Sequence, residues 1–472
     1  MQLDKKLKDF LLPLYDILSL KVADEEYLAL QPLQRRERTF EAIRTLLIHE
    51  SQNKPLVLAV EDLHWIDGTS EELLTYLIDG LANAHILLIL LYRPGYTHTW
   101  GGRSYYNQIG MAQLSSRASA ELVQSILNGA EVVPELSELI VNRTGGNPLF
   151  VEEFTNTLLE NGSIQKKGHQ YLLNRKASDI QVPDTIQGII TARMDRLEEN
   201  LKRTMQVAAV IGRDFAYRVL HTITGMQEEL KSYLLNLQGL ELIYEKSLFP
   251  ELEYVFKHAL TQEVAYNSLR LKRRKEIHEK IGLAIEQLYC ERLEQFYEML
   301  AYHFSRSDNL EKTQLYLKLC GDKAVKNYSN KEAFHFYREA INVLKKQDDT
   351  DDNRRQQLKV YLLIAGPMRP LGYPEDSLVL LKNGERLAEE LGEERSLADL
   401  HSSISMYYSY HGDHEQAINY SESCLREALE AKDVDLVARV GQDLCNSYFL
   451  SGIGSMKPIT RPYWPAPPVC FL

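Results

Sequence analysis

Val57-Leu58-Ala59-Val60-Glu61-Asp62-Leu63-His64-Trp65-Ile66-Asp67 is an apolar run that stops abruptly on two adjacent carboxylates. With Pro55 and Leu56 ahead of it the run is continuous rather than alternating, which predicts a β-strand buried on both faces. A helix follows over Ser70–Ala84, with Leu73, Leu74, Leu77 and Leu81 at helical spacing and Thr69 or Ser70 placed to cap it. A second apolar run, Ile86–Tyr92, ends at Arg93-Pro94-Gly95. Strand, helix and strand within roughly 38 residues form a parallel crossover unit, so this region is α/β.

Outward from that unit the pattern turns helical. Residues 1–50 read as two helices, about 4–20 and 35–50. Residues 116–129 and 135–143 are helical, and Thr144-Gly145-Gly146-Asn147-Pro148 breaks the chain before a helix over 149–161. Residues 162–183 have room for a short hairpin. Helices over 184–196, 198–211 and 226–238 precede two short strands, Glu241–Lys246 and Glu253–Lys257. Helices followed by a two-stranded hairpin are the winged-helix variant of helix-turn-helix.

From about 275 to 450 the chain reads as helical throughout, with an internal period. Ala333, Tyr337 and Ala340 mark one repeat, Gly412 and Ala417 another. Ser377, after the turn Gly372-Tyr373, lies 44 residues beyond Ala333 and 40 before Ala417. Small residues at these offsets let paired antiparallel helices approach closely, in the manner of long tetratricopeptide-like repeats, although Ser421 and Cys424 depart from that pattern. The last stretch, 451–472, holds five prolines in 22 residues and is expected to be disordered. An array without a polar capping repeat suggests a truncated or out-of-frame C-terminus.

The implied domains are 1–112, the later part of an α/β core; 113–182, a helical lid; 183–274, a winged helix; 275–450, helical hairpins; and 451–472, the tail. The chain is 472 residues, 44% hydrophobic, with a net charge of −12, a balance that argues against general nucleic-acid binding. Cys290, Cys320, Cys424, Cys445 and Cys470 form no CxxC pair, so neither a zinc site nor a disulfide framework is indicated and reduced thiols are expected. No apolar run is long enough to span a bilayer, and the amino-terminal stretch lacks a cleavage site. A cytoplasmic protein is expected.

A carboxylate pair ending a buried parallel strand suits Mg²⁺ binding and activation of a water, although an ordinary acidic strand end gives the same short pattern. The longer string EDLHWID, Arg93 at the end of the next strand and TGGNPLFVEEF at 144–154 together resemble the STAND class of signal-transduction ATPases, over roughly residues 1–345. That resemblance implies Mg²⁺ and ATP or ADP as cofactors, with Glu61 and Asp62 as metal-associated and hydrolytic acids. The two are not told apart, since relatives more often carry two aspartates. It implies Arg93 as a γ-phosphate sensor, Gly146 and Pro148 as a motif whose proline packs on adenine, and His258 as a diphosphate contact. Each also has a plain reading: a surface arginine, a cap and turn, a structural histidine. His64 and Trp65 read as packing residues, and the cluster Arg270, Lys272, Arg273, Arg274 and Lys275 as a solvated face.

Phosphate binding in this class uses GxxxxGK[ST], whose backbone N–H groups and lysine cradle the phosphates. No such string occurs in the chain, nor any Gly-Lys pair. In the family that loop precedes the segment matched at Met1, so an amino-terminally shortened ATPase is expected, and autonomous hydrolysis is not. The leading reading is a nucleotide switch coupled to protein binding by the repeats. The alternatives are a non-catalytic interaction scaffold carrying an ATPase remnant, and a winged-helix transcriptional regulator.

Overall fold

The computed structural model describes residues 10–18, 20, 22–174, 182–226, 229–248 and 251–430, with 434, 437 and 441 beyond them. Contacts divide the chain into two compact units, 1–98 with 310–472, and 99–309.

The first unit opens with α1 (Leu11–Ile17), α2 (Glu25–Ala29) and α3 (Pro32–Asn53), then β1 (Leu56–Val60), α4 (Gly68–Asp79) and β2 (Ile86–Leu90). Proline at the first turn and a reciprocal Gln31–Gln34 capping box start α3. β1 and β2 pair in parallel, Leu56 against Ile86 through Val60 against Leu90, as the crossover pattern predicts. Three details differ from the sequence reading. Asp67, not Thr69 or Ser70, caps α4, its carboxylate accepting from the Ser70 backbone N–H at 2.9 Å and from the Ser70 hydroxyl at 2.6 Å. The helix stops at Asp79, and a short 3₁₀ turn over Leu81–Asn83 completes the connection. The sheet is also not buried on both faces: Val57 is 61% and Leu87 60% exposed, and the residues that alternate with them are half-buried.

In the second unit, α5 (Ser116–Ile126), β3 (Glu131–Val132), α6 (Pro134–Thr144), α7 (Pro148–Glu160), β4 (Ile164–Lys167), β5 (Gln170–Leu173) and α8 (Ile186–Asp195) close over one core. Val123, Leu136, Ile140, Val151, Phe154 and Leu158 meet there at helical spacing. The hairpin expected over 162–183 is β4–β5, with β3 added in parallel to β5. Next come α9 (Glu199–Ile211), β6 (Asp214–Ala216), α10 (Tyr217–Thr224), α11 (Glu229–Gly239), β7 (Ile243–Ser247) and β8 (Glu253–Phe256). The sequence predicts two strands here. The structure adds β6 antiparallel to β8, too short at three residues to show a period. The unit ends with α12 (Ala259–Asn267), α13 (Leu271–Leu288) and α14 (Tyr297–Ser305).

The chain then returns to the first unit as a series of helices: α15 (Leu310–Lys326), α16 (Asn330–Leu344), α17 (Asp351–Met368), α18 (Ser377–Leu391), α19 (Glu394–Tyr410) and α20 (His414–Glu430). Each packs on the next, and short connections make them hairpins. The small residues flagged by the period, Ala333, Ala340, Ser377 and Ala417, are buried at these contacts. Ser421 and Cys424 keep the same close approach: the Ser421 hydroxyl lies 2.6 Å from that of Ser405, and the Cys424 thiol 2.9 Å from the Ala398 carbonyl. Among the described residues Cys290, Cys320 and Cys424 take part in no disulfide. Cys445, Cys470 and the proline-rich 451–472 lie outside the described residues, as do most positions of the helix expected after 430. Among the described residues no helix is long and apolar enough to cross a membrane.

Candidate functional site

Because β1 and β2 run parallel, their carboxyl ends share one edge, the place where open α/β sheets bind ligands. Two hydrogen bonds carry the pairing past the strands: Leu91 N–H to the Val60 carbonyl at 2.9 Å and Leu63 N–H to the Leu91 carbonyl at 3.0 Å. Between them Asp62 turns the chain at φ 53°, ψ 35°, in the left-handed region. Glu61, Asp62 and Arg93 are all exposed at this edge. Leu63 is buried beneath the turn, whereas Trp65 is 78% exposed and does not pack as the sequence reading expects. Its ring lies 5.3 Å from that of His64, on a 3₁₀ turn that lifts it off the core.

Two exposed carboxylates suit Mg²⁺, which takes one or two protein carboxylates and fills its shell with water and phosphate oxygens. Among the described residues no three His, Cys, Asp or Glu side chains converge as a metal site on their own. The sequence holds no GxxxxGK[ST] string to cradle a triphosphate.

The helix that follows these acids is tied to the repeats. Thr69, in the first turn of α4, donates to the Ser329 hydroxyl at 3.1 Å and lies 3.5 Å from a Glu332 carboxylate oxygen. Arg36 of α3 reaches the Tyr328 carbonyl at 3.3 Å and forms an ion pair with Glu72 of α4. A Cβ on Gly68 would lie 3.3 Å from the Glu332 carboxylate, so the approach is close.

Gly146 and Pro148 belong to the other unit, as does His258. Gly145, at φ 59°, ends α6 in the left-handed conformation. A Cβ on Gly146 would come within 2.3 Å of the Leu114 carbonyl, and Leu114 N–H donates to the Gly146 carbonyl at 2.9 Å. Asn147 caps α7 through the Phe150 N–H at 3.1 Å, and Pro148 takes the first helical position. Local backbone geometry thus uses every residue of this motif.

The sequence reading did not single out the two glutamates that follow. Glu153 is buried and holds Arg193 of α8 at 2.6 Å, with Glu160 on the same guanidinium at 2.8 Å. Burial pulls the Arg193 pKa down, and the two carboxylates more than reverse it. Glu152 holds Lys257 at 2.6 Å, and Lys257 also reaches Glu241 at 2.6 Å. Consecutive residues of one motif therefore bind α7 to α8 and to the end of β8. His258 caps α12 with its Nε2 buried, without a hydrogen-bond partner, and 3.5 Å from Glu152. Burial lowers its pKa, and Glu152 offsets part of that. Spacing could have suggested these pairs only if the packing of α7 on α8 were already known.

Of the basic cluster, Arg270 and Lys272 are exposed, as a solvated face requires, and the other three have local partners. Arg273 pairs with Glu276 at 2.9 Å, Lys275 with Asp308 at 2.6 Å, and Arg274 donates to the Leu269 and Asn267 carbonyls.

A family model described as a domain of unknown function (DUF8739) matches residues 115–166, from the cap of α5 into β4. An uncharacterized protein of Rhizobium meliloti (strain 1021), R02095, is 24% identical over 346 residues. Those residues are 71% of this chain and 32% of the relative, so the match spans about a third of that protein's length. Among solved structures, a signal-transduction ATPase with numerous domains and a tetratricopeptide repeat sensor from Pyrococcus horikoshii aligns at TM-score 0.39 and 12% identity, covering 95% of this chain and 79% of that one. Aspartyl phosphate phosphatase F from Bacillus subtilis aligns at TM-score 0.30 and 12% identity, covering 73% and 72%. At such scores neither alignment bears on activity.

Proposed function

We propose that the chain is a nucleotide-responsive regulatory module of the signal-transduction ATPase type, whose helical array receives a polypeptide. The observation that supports it best is the seat of α4: the helix that starts just after Glu61 and Asp62 rests, through Thr69, on the turn that opens α16. In this reading Glu61 and Asp62 meet Mg²⁺ and Arg93 meets the terminal phosphate of ATP. Within the second unit, Gly146 and Pro148 answer to the family's base-packing motif, and His258, whose Nε2 lies 3.5 Å from Glu152, answers to its diphosphate contact. The metal would supply neutralisation of phosphate charge. The order α9, α10, α11, β7, β8 is the reading's winged helix. Hydrolysis is not assigned to this chain.

The test is thermal unfolding with Mg-ATP or Mg-ADP. A ligand at a hundred times its Kd adds about 2.7 kcal/mol of stability. Asp62→Ala and Pro148→Ala should each remove the shift. No shift at millimolar nucleotide would favour the second reading, a protein-interaction scaffold, for which the fully local use of Gly145–Pro148 speaks.

A further inference from the structure

We propose that His401 is a proton-operated clamp within the helical array: protonated, it ties α18, α19 and α20 together, and on losing its proton it lets them loosen. The clamp is built from the array's own contacts and does not depend on a nucleotide.

Small residues let the helices of the array approach closely, and at His401 charge joins them. The residue belongs to α19 and is 7% exposed. Its Nδ1 lies 2.9 Å from a carboxylate oxygen of Glu427 on α20, and its Nε2 3.1 Å from one of Glu385 on α18. An ionised carboxylate only accepts hydrogen bonds, so both ring nitrogens have to donate. Neutral imidazole carries one N–H, and the imidazolium carries two. With one proton fewer, the bare nitrogen turns its lone pair toward a carboxylate. At this burial little water is present to screen the repulsion.

The groups around the ring are arranged for a cation. Lys382 of α18 pairs with the other Glu385 oxygen at 2.9 Å, contacts the Tyr420 hydroxyl, and lies 4.3 Å from the centre of the Tyr420 ring. Burial pulls the Lys382 pKa down, and Tyr420 and Glu385 more than reverse it, so the ammonium stays charged. The Tyr420 ring stands edge-on to His401 at 5.4 Å and stacks on Tyr408 at 5.8 Å. Burial raises the Tyr408 pKa, against a smaller pull from Lys382, so that hydroxyl stays neutral. α17 also packs on α19, and from it Arg369 faces the cavity that Asp399 lines. Two carboxylates, Glu385 and Glu427, thus meet two cations, Lys382 and the imidazolium. Removing the ring's proton leaves one carboxylate uncompensated. The stability of this contact is therefore full while His401 is protonated and falls as rising pH strips that proton.

The test uses the full chain carrying isotope-labelled histidine, with His401 assigned by the resonance that His401→Gln removes. Its titration is followed by NMR beside amide hydrogen exchange over residues 377–430, each rate divided by that of unstructured chain at the same pH. Opening of α18, α19 and α20 should rise about tenfold or more across the titration, the loss of one charge-assisted hydrogen bond, with the same midpoint as the ring. Glu427→Gln should flatten the rise, because an amide can donate or accept and so suits either state of the imidazole. Glu385→Gln should do the same at the other nitrogen. Opening that stays constant, a midpoint apart from that of the ring, or a rise that persists in both glutamine variants would each overturn the proposal. If neither variant folds, the two wild-type midpoints decide alone.

Discussion

Asp62 holds φ 53° at the end of β1, a region that costs an L-residue about 1–2 kcal/mol and that aspartate tolerates better than most. Relieving that strain should separate stability from ligand response. Asp62→Gly is expected to raise the unfolding midpoint and Asp62→Val to lower it, while both abolish any nucleotide shift. Equal midpoints for the two would contradict the strain argument. Burial separates the two described tryptophans in the same way. Trp65→Ala should change stability by less than about 0.5 kcal/mol, whereas Trp100, 2% exposed, should cost about 3–5 kcal/mol on truncation. In the second unit His278 and His303 are buried with their Nδ1 atoms 2.9 Å apart, and the Tyr266 hydroxyl lies 3.2 Å from His278 Nε2. Burial, with Arg306 and Arg274 nearby, lowers His278 to about 4. Burial, with His278 and Arg306, lowers His303 to about 3. Protons then bind the unfolded chain first, so the stability these two residues confer is full above about pH 6.5 and falls as pH drops toward 4. Denaturant unfolding at pH 7 and pH 5 should show that loss, and His278→Leu with His303→Leu should flatten it. None of this pair was legible beforehand, because a histidine on an apolar helix face reads the same whether its neighbour is water or another imidazole. The acids at 61 and 62 were legible, because the strand that carries them ends where its apolar run ends.

The crossover β1–α4–β2 could be read because continuous apolar runs separated by an amphipathic helix have few other solutions. How much of each strand is covered could not, since an apolar run looks the same under one layer or two. Val57→Thr and Leu87→Thr, on the exposed face, should stay within about 0.5 kcal/mol of wild type, while Leu74→Ala, buried in α4, should cost about 2–5 kcal/mol. The repeats were visible through their small residues, and glycines at the helix contacts carry the rest. Gly321→Ala should destabilise the array by pushing on Tyr337, a loss read by thermal unfolding.

Over the molecule, the sequence order conceals which pieces belong together. The α/β segment and the helical array, more than 200 residues apart, form one compact unit, and the stretch between them forms the other. No periodicity could announce this, because it depends on contacts such as Thr69 to Ser329 and Arg36 to Tyr328. Those contacts give the account its central claim, that the acidic strand edge and the array respond as one body. Amide hydrogen exchange with and without Mg-ADP tests it most directly. Exchange should slow together at 61–70 and at 326–334, and Thr69→Ala should confine the slowing to 61–70. Slowing at the strand edge alone in the wild-type chain, or no change at either segment, would contradict it.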